Sequence, residues 1–354
     1  MSGFGHSNDI LGLDLSKDAT LASPPGDTIS SLSWSSKADY LGVGSWDHKV
    51  RIYDMTSVAT GEGRAMIDFD GPVLSCDWSV DGSKIAGAGA DKTARLLDLG
   101  MTGAPAQQVA AHEMPIKSVR FFEAPNSNAP MIVTGSWDRT IKYWDLRTAA
   151  AVATVDCKER VYSMDVNKDV LVVGTASQDL HIIDLKNPGF IAETRDSPLK
   201  YQTRVVACSR DAKAFVVGGI DGRVTYQAVS PSEASKCFSF RCHRREDAKT
   251  YRSTTNVYAV NDVSPHPIHE AVFATAGSDG MFNIWDMASK SRLKASPSVG
   301  GPITATAFNS NGSRWAYAVG YDWSKGYAFN RDVENKVLVH HFAPDVIKPK
   351  VPKK

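Results

Sequence analysis

The chain has 354 residues, 42% of them apolar and 22% charged, a balance that suits a folded globular protein and excludes a disordered one. Its 40 Lys and Arg stand against 39 Asp and Glu, so no field of one sign draws in nucleic acid or an anionic membrane in bulk, although a local basic patch is allowed. No apolar run reaches the ~20 residues of a spanning helix, the N-terminus lacks the basic start and apolar core of a secretory signal, and five scattered cysteines (Cys76, Cys157, Cys208, Cys237, Cys242) read as the reduced thiols of a soluble intracellular protein.

From the N-terminus onward one pattern recurs: a β-rich run ends in a small residue, an Asp turn follows, and a second β-rich run closes on an aromatic and often another Asp. It reads GSWDHKVRIYD from Gly44, GAGADKTARLLD from Gly87 and GSWDRTIKYWD from Gly135. Looser copies are GTASQDLHIID from Gly174 and GGIDGRVTYQAV from Gly218, then AGSDGMFNIWD from Ala276 and VGYDWSKGYAF from Val319. Taking Asp47, Asp91, Asp138, Asp179, Asp221, Asp279 and Asp322 as the turn acids gives intervals of 44, 47, 41, 42, 58 and 43 residues. A period of about 40–45 residues is that of a propeller with one four-stranded blade per unit. The alternation of apolar and polar residues, rich in Val, Ile, Thr and aromatics, favours strands over helical repeats. The expected fold is therefore all-β, a seven-bladed propeller over 26–342, with an N-terminal arm over 1–25 and a basic Pro/Lys tail over 343–354. The interval of 58 residues implies a loop insertion in or near Phe238–Asn256, on one face of the ring. Ring closure has two readings: Glu334–Phe342 as the last outer strand, or the N-terminal arm in that place.

The endings IYD, YWD and IWD at Asp54, Asp145 and Asp286, each with a turn Asp seven residues earlier, resemble the WD-repeat family. That resemblance implies an in-blade network of His, Ser or Thr, turn Asp and strand Trp. The matching residues are His112, Asp138 and Trp144 in the third unit and His243, Asp279 and Trp285 in the sixth. The family's usual Gly-His pair is missing, since Ala111 precedes His112 and Cys242 precedes His243. Most blades must then rely on packing.

No nucleotide-binding P-loop, GxSxG elbow or HExxH helix is present, and GAGADK lies at a blade turn instead of opening a helix. Cys237, Cys242 and His243 with His266 and His269 miss the paired spacing of a structural zinc site. The expectation is a non-enzymatic binding protein without cofactor or metal.

The residue before a turn Asp points toward the flat ring made by the turns, which selects Trp46, Trp137 and Tyr321 as interface anchors; packing between blades is the alternative. Basic residues gather in units four to six, with Arg160, Lys200, Arg204, Arg241, Arg244 and Arg245. Guanidinium groups so placed suit an acidic peptide, and a solvated loop is the bland reading.

Longer strings sharpen the resemblance. SPLKYQTR, FRCHR, NVYAVN with HPIHEAVFATAGSDG, YDWSKG, and SPPGDTISSLSWS with SWDHKVRIYD are similar to those of the WD-repeat mRNA export factors of the nuclear pore, over about Ser23 to Lys350. The resemblance implies a nuclear adaptor, partly cytoplasmic and monomeric, that binds a GLEBS-type segment of a GLFG nucleoporin and can contact RNA. It carries over Arg244 from FRCHR, Tyr258 from NVYAVN, and Trp323 and Lys325 from YDWSKG. Two alternatives stay open: a sister mitotic-checkpoint propeller that binds checkpoint kinases, and a cullin ubiquitin-ligase receptor whose adaptor would read the W-D-x-R ending at Arg147. In the tail, Lys348, Lys350, Lys353 and Lys354 among prolines could lie along RNA phosphates or serve solubility alone.

Overall fold

The computed structural model describes residues 12–57, 61–101, 103–247, 254–330, 333–343 and 346–349. Seven four-stranded antiparallel sheets and one two-stranded sheet account for the described strands. Each four-stranded sheet is a blade, running from an inner strand at the axis to an outer strand at the rim. Blade 1 comprises Ile29–Trp34, Tyr40–Ser45, Lys49–Asp54 and Glu62–Asp68. Blades 2 to 6 begin at Val73, Ile116, Val161, Thr203 and Val260. The architecture is the seven-bladed propeller that the period implies.

Local chemistry explains the turns. In blade 3, Asp138 accepts the backbone N–H of Thr140 at 2.9 Å, and Arg139 sits at φ +73°. Asp91 and Asp279 accept from Thr93 and Met281 in the same way, so the side chain closes the turn that joins the second and third strands. The Asp ending a third strand caps the next turn likewise: Asp54, Asp145 and Asp286 each accept the N–H two residues on at 3.0 Å.

One turn acid in the sequence register is misplaced, and another closes its turn without leading straight into a strand. In blade 4 the left-handed residue is Gln178, at φ +71°, so Ser177 holds the turn position and Asp179 already opens the third strand, Asp179–Asp184. In blade 7 Asp322 accepts the Ser324 N–H at 3.1 Å and Trp323 takes φ +60°, the same turn geometry, but no third strand follows it directly. The chain makes an excursion over residues 320–335 before the third strand, Lys336–His341.

That excursion decides how the ring closes. Lys336–His341 is the third strand of blade 7, and Ala19–Thr20 is the outer one, with Ala19 opposite Val339 and Thr20 opposite Leu338. The N-terminal arm is thus part of the propeller from well before residue 26. Asp18 locks it in place: its carboxylate meets His340 Nδ1 at 2.6 Å and accepts the Tyr317 hydroxyl at 2.7 Å. At the other end, Ile347 is buried beside Phe342, so the tail separates from the body only beyond it.

The long interval between Asp221 and Asp279 is filled twice. A 3-10 turn, Pro231–Lys236, precedes the outer strand of blade 5, Phe238–Arg241. A separate hairpin pairs Arg244–Asp247 with Thr254–Val257. Phe238–Arg241 therefore belongs to the blade, and the true insertion starts at Arg244.

Apolar residues of the middle strands pack blade against blade, and small residues let them approach: a Cβ on Gly87 would come within 2.5 Å of Val50. At the axis each inner strand has an unpaired edge whose N–H groups need acceptors. The neighbouring blade supplies them, with Asp77 accepting from Phe121, Asp165 from Cys208 and Asp262 from Thr306, at 2.9, 2.8 and 2.6 Å. Ser31 and Ser163 do the same for Cys76 and Val206.

Candidate functional site

In all seven inner strands the register shifts after the first residue. The bulged residues are Ser30, Leu74, Lys117, Tyr162, Arg204, Asn261 and Thr304, one per blade. A bulge leaves its residue out of the ladder and re-aims the side chain. Here all seven line one cavity of about 370 Å³, the mouth of the axial channel on the turn face. Trp46, Trp137, Trp323, Gln202 and Asp322 complete its wall.

The mouth is charged and unbalanced. Neither Lys117 nor Arg204 has an ion-pair or hydrogen-bond partner among the described residues. Burial pushes the Lys117 ammonium down to about 8, helped by the positive charges of Arg204 and Arg120. Burial lowers Arg204 as well. Three donors around them are equally unused: the Trp137 indole N–H and the hydroxyls of Thr203 and Thr304 are sealed from solvent without a partner among the described residues. A cluster of unpaired cations and orphan donors is arranged to receive carboxylates or other anions.

Below the mouth the channel continues into a second cavity of about 330 Å³ that shares Lys117, Arg204, Asn261 and Thr304 with it. There one guanidinium, Arg120, faces three carboxylates, Asp77, Asp165 and Asp262. Arg120 meets Asp165 at 3.0 Å, and the carboxylates of Asp165 and Asp77 hold its pKa up against burial. Asp77 and Asp262 are pushed up by burial but each accepts a backbone N–H.

The aromatic anchors selected from sequence come together at this mouth. Trp46 and Trp323 stack with ring centroids 4.9 Å apart, and the Trp323 indole donates to Thr28 at 3.2 Å. Trp323 takes φ +60°, the left-handed position that His48, Lys92 and Arg139 hold after their turn acids, and a strained one for a bulky residue. Trp137 lines the opposite side. Tyr321 is buried, its hydroxyl donating to the Gly326 carbonyl at 2.7 Å. Lys325 is exposed beside Phe329.

The basic residues divide into two groups. Arg160 is exposed, stacked at 5.7 Å over Tyr162 and so linked to the mouth. Lys200 is exposed on the loop that leads into Arg204. Arg244 lies farther out, at the foot of the inserted hairpin. It donates to the Asp221 carbonyl at 3.0 Å while its Nε stays sealed, with no partner among the described residues; burial and the charges of Arg241 and Arg223 lower it. Arg245 is exposed opposite Asn256, and Tyr258 is half-buried at the hairpin's return. Arg223 and Arg241 stand directly opposite each other on neighbouring strands, a like-charge pairing that costs stability.

Lys117 and Arg223 are absent from the residues the sequence singled out. The signal for Lys117 is its place as second residue of an inner strand, in IKSV. It is visible only once VLSC, VYSM, TRVV and VNDV are recognised as the same position in other blades.

The histidines are structural. Trp144 donates to Thr134 at 2.8 Å, Thr134 to His112 Nε2 at 2.7 Å, and His112 Nδ1 to Asp138 at 2.8 Å. The acceptor-only carboxylate fixes the tautomer, so every proton in the chain has one place. Blade 6 repeats it through Trp285, Thr275, His243 and Asp279, at 2.9, 3.0 and 2.9 Å. Both ring nitrogens of His243 are thereby used.

On the opposite face, Arg147 forms a two-pronged pair with Asp145 at 2.8 and 2.6 Å while 70% exposed. Lys348 also leaves from that face, after Ile347; Lys350, Lys353 and Lys354 lie outside the described residues. No described helix is long and apolar enough to cross a membrane.

A family model for the WD domain, G-beta repeat, matches residues 19–54, 63–98 and 103–145. The first two matches open in the outer strand of one blade and end in the third strand of the next, so the sequence repeat is staggered against the blades. WD40 repeat protein poxJ of Penicillium oxalicum is 50% identical over 341 residues, 96% of this chain and 98% of that one. The mRNA export factor GLE2 of Chaetomium thermophilum is 48% identical, covering 95% and 94% of the two chains. The Poly(A)+ RNA export protein of Schizosaccharomyces pombe is 45% identical, covering 96% and 95%. With likeness of this degree along nearly the whole of each chain, the protein belongs to the WD-repeat family of mRNA export factors.

Proposed function

We propose that this chain is a non-enzymatic adaptor in mRNA export at the nuclear pore, monomeric and partly cytoplasmic, which binds a GLEBS-type segment of a GLFG nucleoporin across the turn face. The observation that carries the reading is the unbalanced mouth, with Lys117 and Arg204 unpaired inside a ring of tryptophans. An acidic side chain entering there gains charge-assisted bonds in a site that needs no reorganisation. Arg160, Lys200, Arg244, Arg245 and Lys325 extend positive charge outward, and Trp46, Trp137, Tyr258 and Trp323 offer apolar anchorage for the same segment. The names of the relatives support the export role.

Ordering a flexible segment costs entropy, which the rigid seven-bladed platform offsets because its own loops are already in place. The arginines then select acidic positions and speed encounter more than they add raw affinity. RNA contact through the tail lysines is a separate proposal, and Lys348 on the far face would engage RNA away from the mouth.

Calorimetric titration of the full chain with a nucleoporin segment, beside a checkpoint-kinase segment of equal length, tests the reading. One-to-one binding to the nucleoporin segment, weakened by Arg244→Glu with the fold intact, supports it. Preference for the kinase segment moves the protein to the checkpoint role. The exposed Arg147–Asp145 fork favours a second reading, a ubiquitin-ligase adaptor docked on the opposite face. Co-purification lost in Arg147→Ala would support that one.

A further inference from the structure

We infer that Ser197 is a phosphorylation site for a proline-directed serine/threonine kinase and that its phosphate governs access to the channel mouth. The chain has five Ser-Pro pairs, at Ser23, Ser197, Ser230, Ser264 and Ser296. Kinases of this class that also read a basic residue three positions on find one only after Ser197, in Ser197-Pro198-Leu199-Lys200. The corresponding residues of the others are Gly26, Glu233, Pro267 and Val299, and Ser264 and Ser296 are buried.

The structure presents the motif on the turn face. Residues 197–202 connect the outer strand of blade 4, Glu193–Asp196, to the inner strand of blade 5, Thr203–Cys208. Pro198, Lys200, Tyr201 and Gln202 are exposed, while Leu199 anchors the loop at 2% exposure. Ser197 Oγ accepts the Leu199 N–H at 3.2 Å, and its own hydrogen goes to no acceptor among the described residues. Transfer moves the γ-phosphoryl group of magnesium-ATP to this oxygen. The bond from phosphorus to ADP breaks, the Oγ–P bond forms, and the hydroxyl proton passes to the base of the kinase.

The same loop carries Gln202 and ends two residues before Arg204, both of which line the mouth. A group of nearly two negative charges placed there repels an incoming carboxylate and competes for Lys200 and Arg204. This consequence rests on the partner reading above; the modification does not.

The test has two arms. The full chain is incubated with a purified proline-directed kinase and magnesium-ATP, and the product is mapped by mass spectrometry. We expect one phosphate on Ser197, absent in Ser197→Ala and added about tenfold more slowly in Lys200→Ala. No phosphate, or phosphate elsewhere with Ser197 unmodified, overturns the site. In the second arm the modified and unmodified proteins are titrated with the acidic nucleoporin segment, and modification is expected to weaken binding about tenfold. Equal affinities overturn the control of access. If the unmodified protein does not bind, the partner reading fails and the control falls with it, while the mass map still decides the modification.

Discussion

The upper and lower layers of the axial channel hold similar residues and treat them in opposite ways. In the lower layer Arg120 lies against Asp165, and Asp77, Asp165 and Asp262 each take a backbone N–H from the next blade. One layer up, Lys117 and Arg204 make no ion pair or hydrogen bond among the described residues, and burial lowers both against the more distant charges of Asp262 and Asp322. The lower charges hold blades together. The upper charges are a stability cost carried by the fold, as expected where binding of something external restores the balance.

The sharpest way to break this comparison is to unbalance the lower layer. Asp165→Ala leaves Arg120 without its ion pair and Cys208 without an acceptor, and should cost about 3–5 kcal/mol in denaturant unfolding. A loss within ±0.5 kcal/mol would remove the structural role assigned to this layer.

The converse substitution should have the opposite sign. Lys117→Met removes an unpaired cation while keeping its bulk, and should raise the unfolding free energy by about 2 kcal/mol while weakening the acidic segment. The pH dependence follows from the same group. The Lys117 pKa falls from 10.5 to about 8 in the folded chain, so between those values the unfolded chain holds the extra proton. Stability of the wild type relative to Lys117→Met therefore rises with pH across that window and is lowest below it. Partner binding runs the other way, weakening as pH rises through about 8 and the ammonium discharges. A wild-type minus variant stability difference that stays flat from pH 7 to about 10 would contradict this.

The smallest effect concerns the outer basic group. Arg241→Gln relieves the cross-strand repulsion with Arg223 and should stabilise the protein by about 0.2–1 kcal/mol, with a measurable loss of segment affinity. Unchanged affinity would reduce the pair to a surface accident.

The two layers also differ in how far sequence reveals them. Seven units, their strand character and the internal His–Thr–Trp chemistry were legible, because each leaves a periodic or paired mark such as the acid seven residues before IYD, YWD and IWD. Register failed where the mark was one acid alone: Asp179 opens a strand, and Asp322 closes its turn on the Ser324 N–H but does not lead into the third strand. Ring closure by Ala19–Thr20 was one of two readings because two residues carry no periodicity. Trp46 and Trp137 were found through their place beside the turns, and Trp323 through the resemblance of YDWSKG. Lys117 was not, since a lone lysine in an inner strand gains meaning only when a bulge in every blade turns the same position toward the axis.

Titration of the full chain with the acidic nucleoporin segment, wild type against Arg204→Gln, bears most directly on the central claim. Among the described residues Arg204 makes no hydrogen bond or ion pair that the substitution would break, so the fold should be unchanged while affinity falls about a hundredfold, as for a desolvated charge pair that loses one partner. Equal binding by the two proteins would mean that the mouth does not receive the partner.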